Sequence, residues 1–525
     1  MRIAVLVACC CLPVISVEAA GLSPPPIQWQ QSFGYTENDF LYAVRQTADD
    51  GFILGGESWS PPGNDKTAAN FGGADYWIVR LDAEGNQLWD KAYGGNQPDI
   101  LFSLQQTSDG GFVLGGGSQS GMNGNKDTTN FAAVAGTSAD YWVVRLDQQG
   151  NKIWEQDLGG RYDDILHSLQ QTPDGGFILA GFSASPVSGN KTATNFGSAD
   201  IWLVRLDTNG VKLWEKSFGG SDSDGAWAVQ QTQDGGFLLG GTSGSTASGN
   251  KTSPHFGSTL QADFWLVRTD GDGNKLWDRS FGGTGDDTLF ALREMPDRSL
   301  VLGGRSDSVR GGNKTSTNYG GSDFWVIRTD ADGNKLWEQT YGGTDNDFLY
   351  SLDVTKDGGL ILGGSSSSPP SGNKTATNYG SSDFWVVRLD ADGIVLWDAS
   401  YGGSRTDELR SLQQTRDGGF ILGGFSYSDA DGNKTTPAVF SLWADYWVVK
   451  LGPEQPELRA VRTNSGCSLV LSGIKNVSYA IDCSTNLGSW SALQTNLLVH
   501  SGDFELTDPS MTNSVQRFYR ARTVD

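Results

Sequence analysis

Histidine is scarce in this chain of 525 residues: there are three, His167, His255 and His500. None stands at zinc-ligand spacing. No glycine-rich phosphate loop and no nucleophile elbow occurs either. The sequence therefore offers no metal site and no cofactor site, and none is expected. Positive charge is also short. Lys and Arg number 38 against 61 Asp and Glu, a formal net charge of −23. Nucleic acid requires a basic face, so a nucleic-acid partner is excluded. No stretch approaches the ~20 apolar residues of a membrane-spanning helix, and no segment carries helical periodicity. Cysteine numbers five, and three of them fall in the first 11 residues.

Those first residues read "MRIAVLVACCCLPVISVEAAG". One early Arg, an apolar stretch, and small residues at Val17 and Ala19 are the signs of a secretory signal peptide ending at Ala19. The expected location is secreted, at the cell surface or outside the cell, or in the periplasm. Residues 20–26 are read as a linker.

What the chain has in quantity is glycine, 71 residues, and tryptophan, 18. Fourteen of the Trp fall into two series. One closes an "LW"-like phrase at Trp29, Trp89, Trp154, Trp214, Trp277, Trp337 and Trp397. The other follows an Asp by two places, at Trp77, Trp142, Trp202, Trp265, Trp325, Trp385 and Trp447. A recurring period of about 60 residues means a repeat architecture. Each repeat reads as four strands. In one copy these are "DGAWAVQQT", "FLLGGTS", "DFWLVRTD" and "KLWDRSF", separated by "QDGG", a long polar loop and "GDGN". Four strands in each of seven units, without helix, predict an all-β, seven-bladed β-propeller over 27–452. The tight turn makes the third and fourth strands neighbours. The N-terminal strand Ile27 to Phe33 is then left over, and the last unit lacks a fourth strand. Pairing the leftover strand with Asp445 to Leu451 closes the ring by strand exchange and removes open sheet edges.

The Gly-Gly after the second strand, the long loop, the aromatic third strand and the following Trp together resemble the kelch propeller repeat. Phrases like "LDADG…LW" are similar to quinoprotein blades. "SLQQTRDGGFILGG" (Ser411 to Gly424) resembles repeats of secreted bacterial proteins that are thought to be propellers. After a Pro-rich linker at 453–457, residues 458–525 resemble a small C-terminal β-sandwich found at the ends of secreted bacterial proteins. Its ending "FYRAR" carries most of that likeness.

Two Asp series repeat seven times, Asp39 to Asp407 and Asp75 to Asp445. A basic series runs from Arg80 to Lys450 in the third strand. A site seldom needs seven copies, and buried charges need partners. These residues are expected to tie loops and blades together. "GNKT" at Asn190, Asn250, Asn313, Asn373 and Asn433 is formally a glycosylation sequon. It also suits a loop whose side chains bond its own backbone.

The informative positions are those that break the repeat. Three residues after each first-strand Asp comes a variable column: Tyr42, Phe102, His167, Trp227, Phe290, Tyr350 and Arg410. Trp59 and Trp443 are extra aromatics in the long loops of the first and last units, which closure makes neighbours. Candidate binding residues are therefore Trp59, Trp443, His167, Trp227, Arg410, Tyr42 and Tyr350, with no catalytic set. The expected function is recognition of a glycan or an extracellular protein by a secreted monomer, through the long-loop face. The alternative is a polysaccharide-acting enzyme, a lyase or a glycoside hydrolase. Cys467 and Cys483 flank a stretch with a turn at its middle, and a disulfide across an antiparallel hairpin is expected there.

Overall fold

The computed structural model describes residues 4–9, 22–132, 136–258, 261–440, 442–463, 466–473, 478–485, 489–498, 503–508 and 517–523. Its regular elements are all β-strands. Between Ile27 and Leu451 they form seven four-stranded antiparallel sheets. This is a β-propeller repeat. The first sheet runs Asp39–Gln46, Phe52–Ser58, Asp75–Leu81, Gln87–Tyr93, each strand pairing with the next. The next five sheets repeat that order. The seventh holds Asp407–Gln414, Phe420–Ser426 and Asp445–Leu451, and its fourth strand is Ile27–Phe33 from the other end of the repeat.

Burial explains the strand composition. The second and third strands are covered on both faces, so "FILGGES" and "DYWIVRL" are buried throughout. The fourth strand lies at the outer edge, where Leu88, Ile153, Leu213, Leu276 and Leu336 are exposed. The Asp-x-x-Gly turns before it are closed from within. The Asp82 carboxylate accepts from the backbone N–H and the side-chain amide of Asn86, and Gly85 takes φ 86°. Only a residue without Cβ adopts that conformation readily.

The two Trp series join sheet to sheet. At six of the seven junctions the third-strand Trp meets the Tyr or Phe beside the equivalent Trp of the preceding sheet at 4.5–4.8 Å between ring centres, as in Tyr76–Trp142, Tyr141–Trp202 and Phe384–Trp447, and Ile201 takes that place before Trp265. Tyr446 of the last sheet meets Trp77 of the first at 4.6 Å. Its hydroxyl donates to the Trp77 carbonyl at 3.0 Å, as Tyr76 does to Trp142. Five of the outer Trp pack on a Phe of the following sheet, as Trp89 does on Phe112 and Trp29 on Phe52, and Leu300 and Leu360 hold that position in the other two sheets. The contact of last sheet with first thus repeats the contact of first with second. Each aromatic pair contributes about 0.5–1.5 kcal/mol beyond its buried area.

The third-strand basic residues are buried, Arg328 only partly, and paired, but with a third Asp series rather than the two noted above. Arg80, Arg145, Arg205, Arg328, Arg388 and Lys450 bind Asp49, Asp109, Asp174, Asp297, Asp357 and Asp417 at 2.5–3.1 Å, and Arg268 binds Asp234. These Asp lie in the turn between the first two strands of the same sheet. The basic residue therefore braces its own sheet, and Arg328 alone of these also donates to a carbonyl of the next sheet, that of Ala391, at 2.8 Å.

C-terminal to the repeat, Glu457–Thr463, Gly466–Ser472 and Asp503–Asp508 form one sheet. Ser478–Ser484, Ser491–Leu498, Arg517–Thr523 and Ala4–Cys9 form another. Leu458, Leu469 and Leu471 of the first pack against Tyr479, Ile481, Cys483 and Tyr519 of the second. The stretch read as a leader thus supplies an edge strand, Ala4–Cys9 against Arg517–Thr523. The linker is anchored: buried Glu454 accepts from Arg388 and from Trp397 Nε1 of the sixth sheet.

The expected hairpin disulfide between Cys467 and Cys483 does not form. Cys467 pairs in register with Arg462 and Asp508, and Cys483 with Ser491 and Tyr519, so the two lie in different sheets. Cys483 is a buried free thiol. The chain between them crosses from sheet to sheet instead of folding back within one.

Candidate functional site

The innermost strand of every sheet carries a β-bulge after its third residue. The bulged residue is Tyr42, Phe102, His167, Trp227, Phe290, Tyr350 or Arg410, the variable column. A bulge re-aims its side chain out of the ladder. Here the seven bulges bring seven side chains together around one axis. Ring centres lie 5.3 Å apart for Tyr42–Phe102, 5.2 Å for Phe102–His167, 5.2 Å for Trp227–Phe290 and 5.2 Å for Phe290–Tyr350. His167 stacks on Trp227 at 3.9 Å. The Arg410 guanidinium covers Tyr350 at 4.0 Å. Most of these contacts are tilted or edge-on, so the rings spend their faces on one another and form a half-buried plug across the axis.

His167 is neutral within the plug. Burial pushes its pKa down to about 4, and Nδ1 donates to the Ala226 carbonyl at 3.1 Å. It therefore contributes a stacking surface and no charge.

Charge gathers in one sector, where the last sheet meets the first. The Tyr42 hydroxyl donates to Glu57 Oε1 at 3.2 Å, and Arg410 pairs with Glu408 at 2.5 Å. Glu57 is 5% exposed. Its Oε2 and the Arg410 Nε are both buried without a hydrogen-bond partner. Burial raises the Glu57 pKa to about 7. Burial, then the Glu57 charge, raises Tyr42. Glu57 escaped the sequence reading, although its column shows the same signal as the bulge column: Glu57, Gly117, Phe182, Thr242, Arg305, Ser365 and Phe425 occupy one position in the second strands.

Trp59 and Trp443 lie at this same junction. Trp59 N–H donates to the Asn38 carbonyl at 3.0 Å, and Ala444 N–H donates to Asn38 Oδ1 at 3.1 Å. Trp59 is 42% exposed and Trp443 is half-buried. The seven candidates thus divide into five within the axial plug and two in the loops flanking Asn38.

The "GNKT" loops are joints between sheets. The side-chain oxygen of Asn190 accepts from Gly159 N–H at 2.9 Å and its amide donates to the Asp157 carbonyl at 2.8 Å, both on the preceding sheet. Asn250, Asn313, Asn373 and Asn433 do the same. These amides are committed to a neighbouring sheet, not to the loop's own backbone. The Lys of this loop, present also in the first two sheets where the motif is altered, is buried and sits 5.6–5.9 Å over the third-strand Trp in all seven sheets. Beside it the two Asp series meet. At the Asp75–Asp99 junction a Cβ on Gly94 would collide with both carboxylates, which is why the "GG" phrase starts with glycine. Each Asp keeps one buried oxygen without a hydrogen-bond partner. Burial raises Asp75, Asp200, Asp323 and Asp383 to about 7, and the partner carboxylate adds to the shift.

No protein-family model matches the chain. It is similar to the regulatory protein FlaEY of Caulobacter vibrioides, 24% identical over 306 residues, which is 55% of this chain and 31% of FlaEY. The chain therefore spans less than a third of that relative's length. Among solved structures, an ancestral GH74 enzyme aligns with a TM-score of 0.39 at 12% identity, over 88% of this chain and 52% of that one. Puromycin hydrolase aligns with 0.39 at 12%, over 83% and 59%. Sqt1 from Chaetomium thermophilum aligns with 0.32 at 14%, over 78% and 88%. TM-scores this low assign nothing, and the fold rests on the chain's own sheets.

Proposed function

We propose that the chain is an exported, seven-bladed propeller, closed by its N-terminal strand, that binds a glycan or an extracellular protein through its long-loop face. One observation carries this reading: the sevenfold pattern breaks at the axis and at the junction of last and first sheets. Elsewhere the two Asp series, the Asn and the Trp residues are engaged in joining sheet to sheet, and the Lys is buried over the Trp of its own sheet. At this junction an exposed Trp59 stands in the loops above a plug of aromatic side chains. Aromatic faces at a wet surface suit sugar rings and apolar peptide groups. The test is a glycan array, with a parallel protein pull-down, comparing the wild type with the Trp59→Ala/Trp443→Ala double variant. Binding that falls at least tenfold in a folded variant supports the reading, and unchanged binding refutes it.

A second reading, a polysaccharide-acting lyase or glycoside hydrolase, is favoured by one observation. A carboxylate with a pKa of about 7 and an unpartnered oxygen lies beside Tyr42. A group poised near neutral pH is suited to general acid–base work. Release of oligosaccharide products by the wild type but not by Glu57→Gln would establish it.

A further inference from the structure

Beyond the aromatic plug, towards the opposite end of the innermost strands, the axis opens into a cavity of about 420 Å³. That volume is in the range of small-molecule sites. Three residues after each bulge, one column of side chains lines or borders it: Arg45, Gln105, Gln170, Gln230, Arg293 and Gln413, with Asp353 in the sixth sheet.

The column has two kinds of member. The four Gln turn their side-chain carbonyl to the next sheet. Gln105, Gln170, Gln230 and Gln413 accept from the backbone N–H of Gln171, Gln231, Glu294 and Gln46 at 2.7–2.9 Å. This fixes the amide orientation and leaves each NH₂ group, which makes no hydrogen bond among the described residues, as a donor at the cavity. Arg45 and Arg293 break the series. Arg45 Nη1 donates to the Val44 carbonyl and to Ser411 Oγ, and Arg293 Nη1 to the Leu292 carbonyl. The remaining guanidinium N–H groups have no hydrogen-bonded acceptor among the described residues. Asp353 lies 3.6 Å from Arg293 and is itself engaged by Gln414 N–H. Burial, then repulsion from Arg293, pushes the Arg45 pKa down to about 10. Two cations thus share a cavity with one carboxylate, and the neutral groups around them are oriented as donors. An anion between the guanidinium groups would relieve their repulsion and engage donors in fixed geometry.

We propose that this cavity binds a small carboxylate that also carries hydroxyl groups, of the uronic-acid class. The guanidinium pair takes the carboxylate. The glutamine amides, with Ser103 and Ser168 on the cavity wall, take the hydroxyls. The site is separate from the long-loop face and does not depend on what binds there.

Titration calorimetry of the full chain with D-glucuronate tests this, with D-glucose and acetate as comparisons. Saturable glucuronate binding is expected, at least tenfold tighter than either comparison. Arg45→Gln/Arg293→Gln is expected to weaken it at least tenfold. That variant installs the residue that four other sheets already use, and a Gln there can accept from the next sheet, so folding is expected to hold. Should the double variant not fold, Arg293→Gln alone serves. Trp59→Ala/Trp443→Ala is expected to leave glucuronate binding unchanged, which separates this site from the long-loop face. The proposal is overturned by absence of saturable glucuronate binding, by equal binding of glucose or acetate, or by undiminished binding to the Arg-to-Gln protein.

Discussion

Asp200 and Asp224 form one of the buried carboxylate pairs, and replacing Asp200 by Asn gives a prediction opposite to the usual effect of removing a buried charged side chain. Asp200 Oδ2 accepts from Phe196 N–H, while its Oδ1 has no partner. Burial raises its pKa from 3.8 to about 7, and the Asp224 charge adds to the shift. A group whose folded pKa is raised stabilises the fold most below its unfolded pKa. That contribution is lost as pH rises from about 4 through about 7. At 1.36 kcal/mol per unit, a shift of this size corresponds to at most about 4 kcal/mol above pH 7. With an unfolding entropy of roughly 2.1 cal/mol/K per residue over the Ile27–Leu451 repeat, that is at most about 4 °C in Tm. Asn keeps the acceptor for Phe196 N–H, cannot ionise, and can donate to Asp224. Asp200→Asn is therefore expected to match the wild type in Tm at pH 4 and to exceed it by about 1–4 °C at pH 8, read by scanning calorimetry. A variant less stable than the wild type by the same margin at both pH values would refute the reasoning, because the carboxylate would then be serving as an anion.

Other outcomes follow from named contacts. Arg388→Met is expected to cost about 3–5 kcal/mol, since it strands Glu454, which is buried, whereas Arg205→Met costs less because Asp174 is exposed; denaturant midpoints of the two variants check the order. Asn313→Ala removes both side-chain hydrogen bonds from the fifth sheet to the fourth and is expected to cost about 1–3 kcal/mol, measured in the same way. Alkylation of the unfolded, non-reduced protein is expected to label Cys483, and its absence from the labelled peptides would restore the disulfide. Deleting Ile27–Phe33 is expected to lower Tm by more than 10 °C, because it opens the edge at Asp445–Leu451; a smaller loss would deny that strand its closing role.

Much of the fold was legible because the seven copies act as an internal alignment. The third-strand Trp, the Gly-Gly phrase and the unpaired strand at each end indicated four strands per unit and the pairing of Ile27–Phe33 with Asp445–Leu451. The bulge column was legible for the same reason, since only an axial position is free to vary while its neighbours pack. Glu57, Arg45 and Arg293 lie in columns that vary equally, but their meaning depends on which side chains face the axis, and strand parity alone does not place a bulge. The two Asp series could be expected to join sheets. Their pairing with each other, rather than with Arg, follows from the close approach of first and third strands across a junction. For Cys467 and Cys483, a turn midway between them suggested a hairpin, but local sequence cannot say which sheet the next strand joins.

The most direct measurement is a crystal structure of the wild-type chain with the strongest ligand from the array and pull-down screen. The account predicts that ligand in the long loops at the junction of last and first sheets, in contact with Trp59 and Trp443 and above the plug that contains Tyr42 and Arg410. A ligand seated on the outer strands, or repeated equally at all seven sheets, would contradict it.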